Sequence, residues 1–466
     1  MGMNTDGGRS FDVVVAGGGI AGAMAAIGAA RCGAKTVLIE QYGFLGGMLT
    51  AAGVGPMMTF HAGPKQVVQG LPGELIERLK ARGKSPGHIE DTTGYTYTVT
   101  PFDAEAMKHE LEKMFTESGG VLLYHTMLAG VDVENGMIRS IKVCNKAGLT
   151  DICGKVFVDA TGDADLSAWA GVEFAKGREI DGAMQPMTMN MKVRNVDIAR
   201  IKEYIRTHPE EFPRLKAEED RERVLRAERL SIGGFVSAMK RAMESGELSG
   251  VRDDLLFFET NNPGEVIVNT SRILGYDSTD PWSLSEAEVV GRKHVQELEA
   301  FLKKYIVGFE ACIVVSSGPS VGVRSSRQIK GLYTLTLDDL LECRKFDDVI
   351  AHGGYPIDIH PPKGEQEEHF RKRNREIKHL KSGEMYSIPY RCLINAKVRN
   401  LVTVGRCIST TFEAQGGIRV TPIAGAIGHG GGVAAALAAL GNKRTDEISI
   451  RELQDTLMRQ GAYLEI

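Results

Sequence analysis

One stretch restricts what this chain can fold into more than any other. Residues 11–40 read FDVVVAGGGIAGAMAAIGAARCGAKTVLIE. Residues 13–16 form a β-branched run suited to a buried strand. Gly17, Gly19 and Gly22 follow at GxGxxG spacing. An Ala-rich stretch, 20–31, then predicts a helix, closed by Gly33. A second buried strand is expected at 36–39, ending at Glu40. Each part has a physical task in a dinucleotide-binding βαβ unit. Gly17 permits the tight turn, Gly19 lets backbone approach a pyrophosphate, and Gly22 lets the helix lie close to the strand. The helix start presents free N–H groups and a positive dipole end to phosphate. Glu40 is placed to accept a hydrogen bond from a ribose hydroxyl.

The remaining bounds are broad. A length of 466 residues is enough for about three average domains. A formal net charge of −4 gives no electrostatic support for nucleic-acid binding. Seven dispersed cysteines, without a CxxC pair, read as reduced thiols in a cytoplasmic protein. The segment MGMNTDGGRS lacks a basic region followed by an apolar core, so no secretory signal is expected. No apolar run is read as membrane-spanning. No metal-ligand cluster stands out.

Further along, 71–82 and 104–118 predict amphipathic helices, the second capped by Asp103. Strands are expected at 121–125, 127–133 and 138–144, with Asn135-Gly136 as a hairpin turn. Another is expected at 155–159, running into Ala160-Thr161-Gly162-Asp163. From about residue 185 the pattern changes. A Met-rich strand is expected at 184–193, a charged helical region at 195–250, a strand at 265–269 and a long helix at 285–305. A strand at 313–315 leads to Arg324 and Arg327. The segment 361–381 is dense in charge and reads as a loop or solvated helix. A strand at 401–404 and a Gly/Ala-rich helix from 423 to about 440 end the pattern.

Several of these motifs together resemble a known family. Gly17 to Glu40, Gly46-Gly47, VGVRSSRQIKGLYTLT, HGGYPIDIH, IPYRCLI and VGRCISTTFEAQGGIRVTP are similar to the FAD-dependent oxidoreductases. These fall within the glutathione-reductase and fumarate-reductase-like group of FAD-binding proteins. The resemblance implies an α/β fold. A Rossmann-like FAD-binding domain, with a parallel sheet and a β-meander, would carry an inserted α+β second domain. The expected division is 1–184 and 389–466 for the FAD domain, with 185–388 as the insert. The cofactor implied is FAD. Its expected contacts are Gly17, Gly19, Ile20, Ala21 and Gly22; Glu40 and Gln41; Gly46, Gly47 and Met48; and Leu128. Ala160, Thr161, Gly162, Gly405, Arg406, Thr421, Pro422 and Ile423 complete the set.

Candidate catalytic residues come from residue chemistry. Arg324 and Arg327 are suited to holding a substrate carboxylate. His360 is a natural acid/base group, in one run with Tyr355 and Asp358. His61 and Arg391 are further candidates, and Cys407 is placed near the cofactor. There is no second strand–GxGxxG–helix unit, so no separate NAD(P)H domain is expected. Electrons are then expected to pass between a small-molecule substrate and FAD, and on to an external donor or acceptor. A flavin-binding subunit without turnover is the alternative. No nucleic-acid or membrane partner is expected, and homo-oligomerisation is left open.

Overall fold

The computed structural model describes residues 10–364 and 380–466. Most of the charged 361–381 segment therefore lies outside the described residues. The first layer is a seven-stranded sheet. Val121–Leu123, Thr36–Ile39, Ser10–Ala16 and Gly148–Asp159 run side by side in parallel. Leu401–Thr403 joins parallel to the end of Gly148–Asp159. The start of that same strand pairs antiparallel with Met137–Asn145, which pairs with Met127–Glu134. One twelve-residue strand thus joins the parallel sheet to the meander. The sequence predicts only its last five residues, because the preceding half is exposed and lacks an apolar run. The hairpin turn forms as expected, with φ of 52° at Asn135 and 72° at Gly136.

The second lobe is built on a five-stranded antiparallel sheet. Its order is Ser231–Gly234, Leu255–Glu259, Val266–Val268, Met191–Arg194 and Ile313–Ser317. Two of these strands correct the sequence reading. Ser231–Gly234 lies within the region expected to be helical at 195–250, and the Leu255–Glu259 strand has no counterpart among the expected elements. Gly234 is pressed against Phe212, so a missing side chain is what lets the strand lie there. The expected strand at 184–193 shortens to Met191–Arg194, preceded by isolated bridges at Met187 and Thr188. The apolar core of this lobe draws on residues between 187 and 321. Leu335, Ile350, Tyr355, Tyr386 and Ile388, which fall in the expected insert, pack instead into the core of the first lobe.

The helix Thr421–Gly441 passes through the centre of the first lobe. It is 21 residues long and contains an 18-residue window of mean hydropathy 1.6, which by length and composition alone could span a membrane, contrary to the sequence reading. Here 83% of the apolar window is buried inside the protein. The helix lies on Ile20–Arg31. Gly425 approaches Ile20 and Met24, Gly428 lies on Ala21, and Gly432 on Ala25. The residue numbers rise together, so the two helices run parallel. A Cβ at Gly428 or Gly432 would sit 2.0 Å from the carbonyl oxygen of Ala21 or Ala25. No side-chain adjustment relieves a clash with backbone. Gly432→Ala is therefore expected to destabilise the protein by about 3 kcal/mol or more, at the upper end of ordinary overpacking. Gly441→Ala, whose Cβ meets only the flexible Lys443 side chain, is expected to leave the thermal midpoint almost unchanged. Thermal melts of the two variants compare them directly, and equal midpoints would contradict this packing.

Candidate active site

A cavity of about 1800 Å³ opens along the C-terminal ends of the parallel strands and continues under the second lobe. Sequence-local chemistry builds its first part. The Ser10–Ala16 strand delivers Gly17 at φ 102°, and a Cβ there would meet the Ala160 carbonyl oxygen at 2.5 Å. Gly22 packs so closely that its Cβ would lie 1.8 Å from Gly17 O. Ile20–Arg31 therefore starts directly against the turn, and its first residues line the cavity. Glu40 is buried and holds the turn. Its carboxylate accepts from the Gly18 amide at 2.7 Å and the Tyr42 amide at 2.8 Å. Burial raises the Glu40 pKa against the effect of these amides.

The expected cofactor residues divide into two groups. Gly17, Gly19, Ile20, Ala21, Glu40, Gln41, Gly47, Met48 and Leu128 line the cavity, as do Ala160, Thr161, Gly162, Gly405, Arg406 and Thr421. Gly22, Gly46, Pro422 and Ile423 stand outside the lining. Gly46 donates its amide to Gly18 O at 2.9 Å and carries a φ of 113°, so it shapes the wall from behind. Pro422 and Ile423 are buried in the first turn of their helix.

Beyond the nucleotide turn, four distant segments bring charge together. Asp358 Oδ2 accepts from Arg419 Nη2 at 2.8 Å, from Tyr355 Oη at 3.2 Å, and pairs with His360 Nε2 at 3.0 Å. His360 Nδ1 lies 2.6 Å from Arg272 Nη1, and its amide donates to Gln185 Oε1. Arg324 donates from Nη1 to Pro186 O and Thr188 Oγ1, each at 2.6 Å. Tyr95 packs edge-on to Tyr355 with ring centroids 5.8 Å apart. Its loop is tied by the buried Asp91, which accepts from the amides and hydroxyls of Thr93 and Thr96. Burial shifts these groups, and their charges oppose or reinforce it. Burial, with Arg324 and Arg272, pushes His360 well below the usual imidazole range despite Asp358. Burial and Asp358 raise both Tyr95 and Tyr355. Asp358 is held low by His360, Arg419 and Arg324 although burial works the other way.

Three candidates from the sequence stand away from this cluster. Arg327 Nη1 donates to Asp163 O and to Asp165 Oδ1 at 2.7 Å, and its guanidinium covers Phe174. Asp165 is pushed up to about 6 by burial and by Asp163, with Arg327 opposing. His61 bonds Thr98 Oγ1 at 2.9 Å and packs edge-on to His88. Arg391 forks onto Asp348 at 2.9 and 3.0 Å and lies over Tyr333. None of the three lines the cavity. Cys407 is buried behind the wall, with its thiol directed at Val404 O. Sequence reasoning passed over Tyr95, Asn190, Arg272, Asp358 and Arg419 as site residues. Only the DTTGYT turn signal before Tyr95 and the position of Asp358 between Tyr355 and His360 pointed to any of them.

The residues present fit FAD. The glycine turn and helix start form a cradle for a pyrophosphate, with Glu40 beside it. Further along the wall, the buried polar atoms without a hydrogen-bond partner among the described residues include Asn190 Oδ1, Arg406 Nε and Arg419 Nε. All three residues line the same cavity. Buried polar atoms are normally satisfied, so these are groups that a bound ligand would complete. Arg406 and Arg419 would hold acceptor atoms, and Asn190 a donor.

No curated protein matches the chain. Among solved structures, it is similar to a geranylgeranyl bacteriochlorophyll reductase-like protein from Thermoplasma acidophilum. The identity is 13% and the TM-score 0.47, over 97% of this chain and 84% of the other. The flavin-dependent brominase Bmp2 matches at 12% identity and TM-score 0.46, over 97% and 83%. The p-nitrophenol 4-monooxygenase PnpA from Pseudomonas putida DLL-E4 matches at 10% and 0.46, over 97% and 85%. The family profile described as FAD dependent oxidoreductase matches residues 12–457. The cofactor is FAD, and the chain belongs to the FAD dependent oxidoreductase family.

Proposed function

We propose that the protein transfers a hydride between FAD and a small substrate bearing a carboxylate, with an external partner exchanging electrons with the flavin. Arg324 carries this reading. It lines the cavity, and it hydrogen-bonds a carbonyl and a hydroxyl, both neutral. Among the described residues no carboxylate forms an ion pair with it. Enclosure and the neighbouring Arg419 and Arg272 push its pKa down, so the cation is held at an electrostatic cost. An anion placed there relieves that cost, and a carboxylate matches the guanidinium fork. Arg419 lies close by, and Asp358 balances its charge.

FAD, when bound, supplies the hydride chemistry, and the protein supplies position and proton control. Arg272 has only N–H groups to offer, so His360 Nδ1 is the acceptor in that contact. Nε2 then carries the hydrogen and donates to Asp358. Both imidazole nitrogens are thus engaged in the neutral form. This revises the free-base role expected for His360: it positions Asp358 and Arg272. The raised Tyr355 and Tyr95 are protonated, and with the arginines they make the substrate end rich in donors. Such a set suits hydrogen-bonding the negative charge that develops on an unsaturated acid as hydride adds to it, which is the reductase direction. Nothing in this arrangement depends on RNA or a membrane.

Three outcomes follow from this reading. Purified protein is expected to show a flavin spectrum and to turn over an α,β-unsaturated carboxylate with reduced dye. Arg324→Met is expected to retain FAD while weakening carboxylate binding roughly 10- to 100-fold, the range for losing a hydrogen bond to a charged group. Titrating the flavin absorbance with carboxylates measures it, and an unchanged affinity would remove Arg324 from the substrate site. His360 is expected to remain neutral through the ordinary imidazole range. Because its pKa is lowered, the cation forms only well below the ordinary ~6.5. Selective histidine labelling and NMR, with His360→Gln for assignment, follow the ring directly. A titration midpoint between 6 and 7 would contradict the proposed tautomer.

A further inference from the structure

Trp169 sits where large apolar side chains are rarely left uncovered. It ends the short helix Asp165–Trp169 and is 48% exposed. That helix packs against the strand Met127–Glu134. Met127, the first residue of the strand, is 56% exposed, and Leu128 follows it. Trp169, Met127 and Leu128 all line the same cavity as Glu40 and the glycine turn. Two large apolar side chains, each about half open, therefore share one end of a cavity that also contains the nucleotide fingerprint.

The direction of the cofactor identifies this end. The turn at Gly17 and the start of Ile20–Arg31 take the pyrophosphate, and Glu40 stands at the ribose. The flavin must extend toward Arg324 and Asp358, where the cavity has its polar groups and its room for substrate. The adenine then lies on the opposite side, past Glu40, where the wall is Thr126, Met127, Leu128 and Trp169. Adenine is a flat aromatic ring, and an indole offers it a stacking face that needs no hydrogen bond. Tyr42, also in the lining, packs parallel to Phe44 with centroids 5.3 Å apart, so its ring already has a partner on one face.

We propose that Trp169 stacks on the adenine of FAD and closes the adenosine end of the cavity against Met127 and Leu128. The two apolar side chains are then covered in the holoprotein, and Trp169 adds to cofactor retention without touching the flavin.

The tryptophan content makes this directly testable. The chain has only two tryptophans, and Trp282 is 82% exposed and outside the cavity lining. Trp282→Phe leaves Trp169 as the sole indole. In FAD-free W282F protein, ADP carries the adenine without the flavin, whose absorption would quench any nearby tryptophan. ADP is expected to quench the W282F emission saturably and to leave W169F emission unchanged. FAD affinity, followed by flavin fluorescence, is expected to fall roughly tenfold in W169A, within the range for losing a base–aromatic stack. W169F, which keeps an aromatic face, is expected to stay within about threefold of wild type. FAD affinity in W169A equal to wild type would overturn the assignment. So would calorimetric binding of ADP to W282F with no change in emission. Equal losses in W169A and W169F, with equally lowered melting of the FAD-free proteins, would mean a structural role and would overturn it as well.

Discussion

The close parallel contact between Ile20–Arg31 and Thr421–Gly441 is the constraint on which the site depends. It exists because Gly428 and Gly432 carry no side chain where Ala21 and Ala25 present backbone. Parallel packing at that distance aligns two helix N-termini at one end of the pair. Ile20 and Ala21 from one, and Val420, Thr421 and Ala424 from the other, line the same cavity. Two positive dipole ends then converge on a cofactor that carries two phosphates and gains negative charge on reduction. The contact also fixes Arg419, which immediately precedes the second helix, against Asp358. A packing feature of the core thereby positions both the helix start beside the glycine turn and the Arg419–Asp358 pair.

The nucleotide half was legible because its information is local. Strand, glycines, helix and Glu40 lie within thirty consecutive residues, and each glycine meets a specific neighbour: Ala160 for Gly17, Gly17 itself for Gly22, Gly19 for Gly47. The substrate half was less legible because it is assembled from residues far apart. Tyr95, Arg272, Asp358 and Arg419 come from four segments, and beyond the turn at Tyr95 and the neighbours of Asp358 they carry no local signature that separates them from surface residues. Arginine identity alone misled in a consistent way. Arg327 and Arg391 have carboxylates in reach, Asp165 and Asp348, and they are satisfied there. Arg324 differs only in having neutral partners, a fact of tertiary placement. The strands Ser231–Gly234 and Leu255–Glu259 were missed for a related reason: full burial on both faces removes the alternation that marks a strand.

Asp358 shows how the substrate end is kept in order. A single carboxylate oxygen receives Arg419, Tyr355 and His360, and each donor comes with its own further anchor. Arg419 also donates to the Asp358 carbonyl, His360 is held through its amide by Gln185, and Tyr355 packs against Tyr95. Buried charge is costly unless paired and hydrogen-bonded, and here three donors share that compensation. Arg324 makes no ion pair with a carboxylate among the described residues, although the charge of Asp358 reaches it. On the function proposed above, selectivity for an anionic substrate would follow from that difference. On the same reading, a neutral analogue of equal size would forgo the charge-assisted bonds that a carboxylate makes to Arg324.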